Sequence, residues 1–282
     1  MVDNFVSNLK ELVKKNRLTR RAALKLRRYF CLSTSSFRRL PEAIIIGAQK
    51  SGTSSLWNYI SGHPDIIPSI SKEIHYFDDN YSKDEEWYRS YFPISKKGIT
   101  IEATPRYIFD EGVERRIKEV VPEVKLIAVL RDPAERAYSH YRHALRGMGR
   151  DGKESRTFME AIENDLRVIK YENRILGKGS YKDIYYSYLR RGIYEPQLKR
   201  FFNTFGDNVF VIPSFRLFYN TKETVNNVFR FLNVKKYNLI DAEVHNKGKY
   251  DNDIPHEDWL RDFFSEYNYK LYNLLEVDSW WD

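Results

Sequence analysis

The chain has 282 residues, 42% of them hydrophobic, 15% aromatic and 30% charged, which excludes a disulfide-stapled miniprotein and a disordered chain and suits one α/β core. Its apolar runs are a few residues long, short of the roughly 20 that a spanning helix needs, and no signal-peptide core follows Met1. The net charge of +8 is concentrated: residues 1–40 hold 11 Lys or Arg against Asp3 and Glu11, and the rest of the chain sums to −1. A nearly neutral body offers no broad polyanion surface, so nucleic acid is not expected and an anionic ligand must meet a local constellation.

In chain order, Val2, Phe5, Val6, Leu9, Leu12 and Val13 recur at helical spacing among lysines, which predicts an amphipathic helix. A second basic stretch, Arg17 to Phe30, is open between an anionic membrane surface, a partner and a solvated extension. Residues 1–40 are therefore set apart as a basic amphipathic extension and 41–282 as the domain. The single cysteine, Cys31, cannot close an intramolecular disulfide, which fits a reducing compartment. Four buried strands are predicted: Ala43 to Ile46, Ile99 to Glu102, Val124 to Leu130 and Val209 to Ile212. The first leads through a glycine loop into a helix carrying Leu56, Trp57 and Ile60. The third opens through Arg131-Asp132-Pro133 into a helix of about 15 residues. Alternating strands and helices imply a mainly parallel sheet covered on both faces. Residues 146–190, charged and tyrosine-rich, read as helices and loops over a cleft.

The segment Gly47 to Thr53 carries the strongest chemical signal. Glycines after a buried strand let backbone N–H groups converge on an anion at a helix N-terminus. The two glycines have the spacing of a nucleotide-triphosphate loop, yet Thr53 stands at the lysine position and the lysine comes earlier, at Lys50. Kinase or ATPase chemistry with Mg²⁺ is thereby disfavoured, and a plain glycine turn with a solvated lysine stays as the bland alternative.

The string Gly47-Ala48-Gln49-Lys50-Ser51-Gly52-Thr53-Ser54-Ser55-Leu56 resembles the 5′-phosphosulfate loop of sulfotransferases that use 3′-phosphoadenosine 5′-phosphosulfate, the heparan sulfate enzymes above all. Four later segments agree in order: Lys72-Glu73-Ile74-His75-Tyr76-Phe77-Asp78; Trp87-Tyr88 through Phe92-Pro93; Leu130-Arg131-Asp132-Pro133 through Ser139; and Lys247-Gly248-Lys249-Tyr250. The resemblance implies a P-loop NTPase-like three-layer α/β fold and sulfuryl transfer to a hydroxyl or amine of a carbohydrate or glycolipid, releasing adenosine 3′,5′-bisphosphate. It implies that Gln49, Lys50, Ser51, Gly52, Thr53 and Ser54 hold the 5′-phosphate end of the donor. Arg131 and Ser139 would hold its 3′-phosphate, against the alternative of a helix-entry contact. Lys247, Gly248 and Lys249 would close over the phosphates, and Tyr194 is open between a nucleotide neighbour and a packed tyrosine.

Sulfuryl transfer builds charge on the bridging oxygen as its bond to sulfur breaks, so a lysine aimed there stabilises the transition state, and Lys50 is the candidate. The donor sulfate carries less charge than a terminal phosphate, so no metal is expected. The attacking group must lose a proton, and the resemblance gives that task to Glu73. His75 is the second candidate for the base, open between a substrate or base-orienting contact and a structural hydrogen bond. If Lys72 to Phe77 is extended, both side chains share one face.

Two departures bear on substrate. Ala103 stands where the family often has a lysine for an anionic sugar chain, and no cysteine follows Cys31 to form the animal enzymes' late disulfide loop. The expectation is a cytoplasmic, microbial or viral relative, and an anionic membrane surface is one of the places to which residues 1–40 could bring it. The competing readings are a kinase-like nucleotide-binding enzyme and a non-catalytic glycan- or membrane-binding module of the same fold.

Overall fold

The computed structural model describes residues 26–95, 97–147, 153–237 and 253–281. A helix over 26–33 and a 3₁₀ turn, Ser35–Phe37, lead into the first strand. The body opens with β1 (Ala43–Gly47), α1 (Thr53–Ser61), β2 (Ile66–Pro68), α2 (Glu85–Arg89), β3 (Ile99–Ala103), α3 (Val113–Val120) and β4 (Lys125–Leu130). It continues through α4 (Pro133–Leu145), α5 (Phe158–Glu172), α6 (Tyr181–Tyr185), α7 (Tyr194–Phe205), β5 (Val209–Pro213), α8 (Ser214–Tyr219), α9 (Thr221–Phe231) and α10 (Glu257–Leu275).

The strands form one all-parallel sheet in the order β2-β3-β1-β4-β5. The four strands expected from the sequence are present. The fifth, β2, is three residues ending in Pro68 at the sheet edge, where a missing N–H breaks no ladder and a short run leaves little periodicity to read. The sheet is buried on both faces, which is why its strands read as unbroken apolar runs. Ile44, Ile46, Leu126 and Ala128 pack with Phe77, Tyr88, Tyr107 and Phe201 on one side. Ala43, Ile45, Ile127 and Val129 pack with Leu56, Ile60, Val225 and Phe229 on the other.

From β1 the chain moves outward to β2, and from β4 it moves the opposite way to β5. The crevice beyond the carboxyl ends of β1 and β4 is thus a topological switch point, the usual ligand position in an open parallel sheet. Within 146–190, α5 begins at a capping box in which Thr157 and Glu160 bond reciprocally. That Thr-x-x-Glu spacing is visible in the sequence, although the segment's periodicity is weak. Among the described residues no helix is long and apolar enough to cross a membrane.

Candidate active site

The loop after β1 is held from beneath. The Ala48 N–H donates to the Val129 carbonyl at 2.8 Å, and Ser51 N–H to the Ala48 carbonyl at 3.2 Å. Gly52 has φ +103°, and a Cβ there would lie 2.9 Å from the Phe218 ring, so the turn needs glycine. No side chain caps α1, whose first N–H groups point into the crevice end of β1 with the positive end of the helix dipole behind them. Such a cradle fits a phosphate group. Thr53 and Ser51 are buried in it. The Gln49 side-chain carbonyl is buried without a partner among the described residues; as an acceptor it does not suit a phosphate oxygen, which leaves the amide NH₂ for that task.

Two lysines reach this loop. Lys50, itself at φ +71°, places Nζ 3.4 Å from Nδ1 of His143 on α4. Lys72 donates to the Ser54 hydroxyl at 2.5 Å, and burial lowers its pKa. Lys72 and His143 were given no role from sequence; Lys72 lies inside the quoted Lys72–Asp78 segment, whereas His143 carries no local signal. Burial first, then the Lys50 and Arg146 charges, push His143 down to about 4, so at neutral pH it is an uncharged neighbour of Lys50.

Tyr194 is buried at the start of α7. Its hydroxyl donates to the Arg131 carbonyl at 2.9 Å, and burial pushes its pKa up to about 12. Of its two readings the packed ring is the one seen, with its polar tip on the backbone of Arg131. Arg131 is paired with Glu135 at 2.6 Å. The helix entry itself is served by Asp132, which accepts from the Glu135 N–H at 2.9 Å and pairs with Arg261. Ser139 is buried two turns further along α4. Lys247, Gly248 and Lys249 lie outside the described residues, as do residues 1–25.

The Lys72–Phe77 segment is not extended. Glu73 and His75 have φ +59° and +55°, and the Glu73 N–H donates to the Ala103 carbonyl at 2.9 Å. The two side chains still converge, with His75 Nε2 3.9 Å from Glu73 Oε2, because two left-handed residues curl the chain. Left-handed backbone at non-glycine residues costs on the order of 1 kcal/mol or more each and persists only where the surroundings over-determine it. Here the surroundings are visible. Tyr107 Oη accepts from the Tyr76 N–H at 2.9 Å and from the Phe77 N–H at 3.3 Å, while donating to Glu102 at 2.9 Å. Glu102 is fully buried and also accepts from Tyr88 and Thr104; burial pushes it up to about 7 against these hydrogen bonds.

His75 is gripped from behind. Its Nδ1 lies 2.8 Å from Asp78, Asp78 lies 2.9 Å from the Arg106 Nε, that nitrogen lies 2.9 Å from Asp110, and the terminal nitrogens of Arg106 pair with Asp79. Burial alone would lower the His75 pKa, but the hydrogen bond and charge of Asp78 outweigh it and raise it. Burial likewise works against Asp78 ionising, and His75 and Arg106 overcome it, so Asp78 is held below the ordinary carboxylate range. Donor atoms of His75, Asp78 and Asp79 come within 4.8 Å of one another, a spacing that would suit a cation, but the Arg106 guanidinium already supplies the positive charge both aspartates need. Arg106 is the functional residue with least warning in the sequence, since its partners are sequence-distant apart from Asp110 at a four-residue spacing.

Seven non-glycine residues have positive φ among the described residues. Asn173, Asn233 and Glu276 stand at or just beyond helix C-termini, where this conformation is ordinary, and His256 is the N-cap of α10, a position where extended backbone is the rule. The other three are Lys50, Glu73 and His75, brought to one crevice by β1 and the segment after β2.

Comparison with known proteins gives the family and the fold. The family described as "Sulfotransferase domain" matches residues 40–247. The mouse heparan sulfate glucosamine 3-O-sulfotransferase 5 is 33% identical over 210 residues, 72% of this chain and 57% of that protein, so the match spans little more than half of the relative. The mouse heparan sulfate glucosamine 3-O-sulfotransferase 3B1 is 30% identical over 281 residues, covering 89% of this chain and 67% of the relative. A crystal structure of a sulfotransferase from Alicyclobacillus acidocaldarius superposes with a TM-score of 0.70 at 26% identity, over 85% of this chain and 97% of the other. The P-loop-like three-layer architecture expected from the sequence is the one observed.

Proposed function

The chain belongs to the sulfotransferase family, and from that premise we propose that it moves a sulfuryl group from 3′-phosphoadenosine 5′-phosphosulfate to a carbohydrate hydroxyl. The observation that carries this reading is the coincidence of strained backbone with chemistry at Lys50, Glu73 and His75. The preference for a hydroxyl over an amine follows the relatives, which are named 3-O-sulfotransferases of glucosamine.

In the proposed reaction the loop amides at the start of α1 and the Thr53 hydroxyl hold the 5′-phosphate, with Arg131 and Ser139 toward the 3′-phosphate. The Glu73 carboxylate takes the proton of the acceptor hydroxyl as its oxygen bonds to sulfur. The bond from sulfur to the bridging oxygen breaks, and the Lys50 ammonium meets the charge left on that oxygen, so adenosine 3′,5′-bisphosphate departs. Such a transition state needs positioning and charge stabilisation more than covalent help. His75, held by Asp78, orients Glu73. Arg106 is a positioning residue acting through Asp78. The residues present form a cradle of N–H groups and cations that suits a nucleotide carrying two phosphates.

Incubation with sulfur-labelled donor and a panel of glucosamine-containing oligosaccharides and glycolipids, with mass analysis of products, tests the proposal. Transfer to at least one carbohydrate, abolished in Glu73→Gln with donor affinity kept, is the expected result. Binding of donor without transfer to any acceptor, unchanged by Glu73→Gln, would instead make the protein a binding module.

A further inference from the structure

The 26–37 segment turns the wrong face outward for a simple linker. It grips the body through Arg28, whose guanidinium lies 4.3 Å from the Tyr91 ring centre and 5.2 Å from that of Trp87 and bonds to Ser90. Cys31 and Ser35 are buried on the same side, and Arg38 donates to the Phe92 carbonyl at 2.6 Å. The opposite face is apolar and open: Leu26, Tyr29 and Phe30 share it at helical spacing, and Phe37 follows on the 3₁₀ turn, with Tyr29 78% and Phe37 73% exposed. Ile94, also exposed, follows Pro93, whose carbonyl accepts from the Arg39 N–H two residues beyond Phe37. Single exposed apolar side chains are ordinary, whereas this many around one short segment mark an interaction surface.

The charge of the adjoining chain selects its occupant. The sequence that leads into this face carries Arg17, Arg20, Arg21, Lys25 and Arg27 with no acidic residue among them, whereas Arg28, Arg38 and Arg39 engage the body. An apolar face that continues so basic a chain matches an anionic lipid surface, into whose headgroup region aromatic and aliphatic side chains insert while arginines stay with the phosphates. We propose that the face formed by Leu26, Tyr29, Phe30 and Phe37 docks on an anionic bilayer surface. The proposal rests on this face and its charge and stands apart from the sulfotransfer reading.

The test is sedimentation of the full chain with vesicles of phosphatidylcholine alone or of equimolar phosphatidylcholine and phosphatidylglycerol. The comparison variant is Tyr29→Ser/Phe30→Ser/Phe37→Ser, which keeps every charge, with its thermal unfolding and sedimentation velocity measured alongside. The expected result is binding to the anionic vesicles only, weakened by salt, with the variant binding about tenfold or more weakly while melting and sedimenting like the parent. Failure of the full chain to bind, or equal binding by the variant, would overturn the proposal. So would a parent that self-associates through this face, seen as a dimer that the variant abolishes.

Discussion

The two walls of the crevice are built from similar residue types and shift their histidines in opposite directions. On the donor wall, Lys50 stands beside a histidine that burial and the lysine's own charge hold down at about 4. On the acceptor wall, His75 stands between Asp78 and Glu73 and is raised from its usual 6.5. A neutral histidine adds no repulsion against Lys50 and leaves the lysine's charge for a polyanionic nucleotide. A histidine raised toward its charged form holds the Glu73 carboxylate, the base of the proposed reaction. The histidine's role follows from the groups packed around it, and the walls differ in support as well: backbone and helix dipole on one side, a buried chain of carboxylates, tyrosines and Arg106 on the other.

The sharpest break of this comparison is Glu73→Gln, which keeps shape and removes the base. It should lower kcat by about 10² to 10⁴ and leave the affinity for adenosine 3′,5′-bisphosphate unchanged in calorimetry. Lys50→Ala should lower kcat by about 10² to 10³, as for loss of one preorganised donor, and should also weaken nucleotide binding, since the lysine belongs to the donor wall. A Lys50→Ala enzyme with normal turnover would detach that wall from the chemistry.

Arg106→Gln should act through position. Leaving Asp78 and Asp110 buried without their cation should cost about 3 to 5 kcal/mol of stability in denaturant unfolding, and kcat should fall about tenfold with donor KM unchanged. The His75 titration followed by NMR should move to higher pH, because Arg106 is one of the charges that lowers it. A merely structural role would leave that titration in place in the folded fraction. The pairing of His75 has its own pH signature. Its contribution to stability is complete below about pH 6.5 and is lost as pH rises through the higher folded value.

Glu102 sharpens the same wall more gently. Its folded pKa of about 7 lies above its usual 4.5, so between these values the folded chain holds a proton that the unfolded chain releases, and stability falls as pH rises. Glu102→Gln should remove a decline of about 3 kcal/mol between pH 4.5 and 7, read from unfolding at a series of pH values. The smallest effect is expected from His143→Gln. Because the imidazole is uncharged at neutral pH, kcat should change by less than about threefold, and a larger loss would mean that His143 carries a charge there.

The donor wall was legible in the sequence because everything that makes it is contiguous. An apolar run, two glycines and a helix pattern between Ala43 and Ser61 set strand, turn and anion cradle within one βα unit. The wall that carries Glu73 and His75 was legible only through a family resemblance, and its curled backbone has no signal in the sequence. No local propensity puts Glu73 and His75 in the left-handed region; they are held there by Tyr107 and Glu102, which reach the segment only after β3 has paired with β1. Arg106 stood in a segment notable in sequence for Ala103, and its role appears once Asp78, Asp79 and Asp110 fold around it.

The central claim is that the loop after β1 is the donor cradle, and a crystal structure with adenosine 3′,5′-bisphosphate tests it most directly. The account predicts the 5′-phosphate within hydrogen-bond reach of the amides at the start of α1 and of Lys50, and the 3′-phosphate toward Arg131 and Ser139. A nucleotide seated elsewhere, with that loop unoccupied, would contradict it.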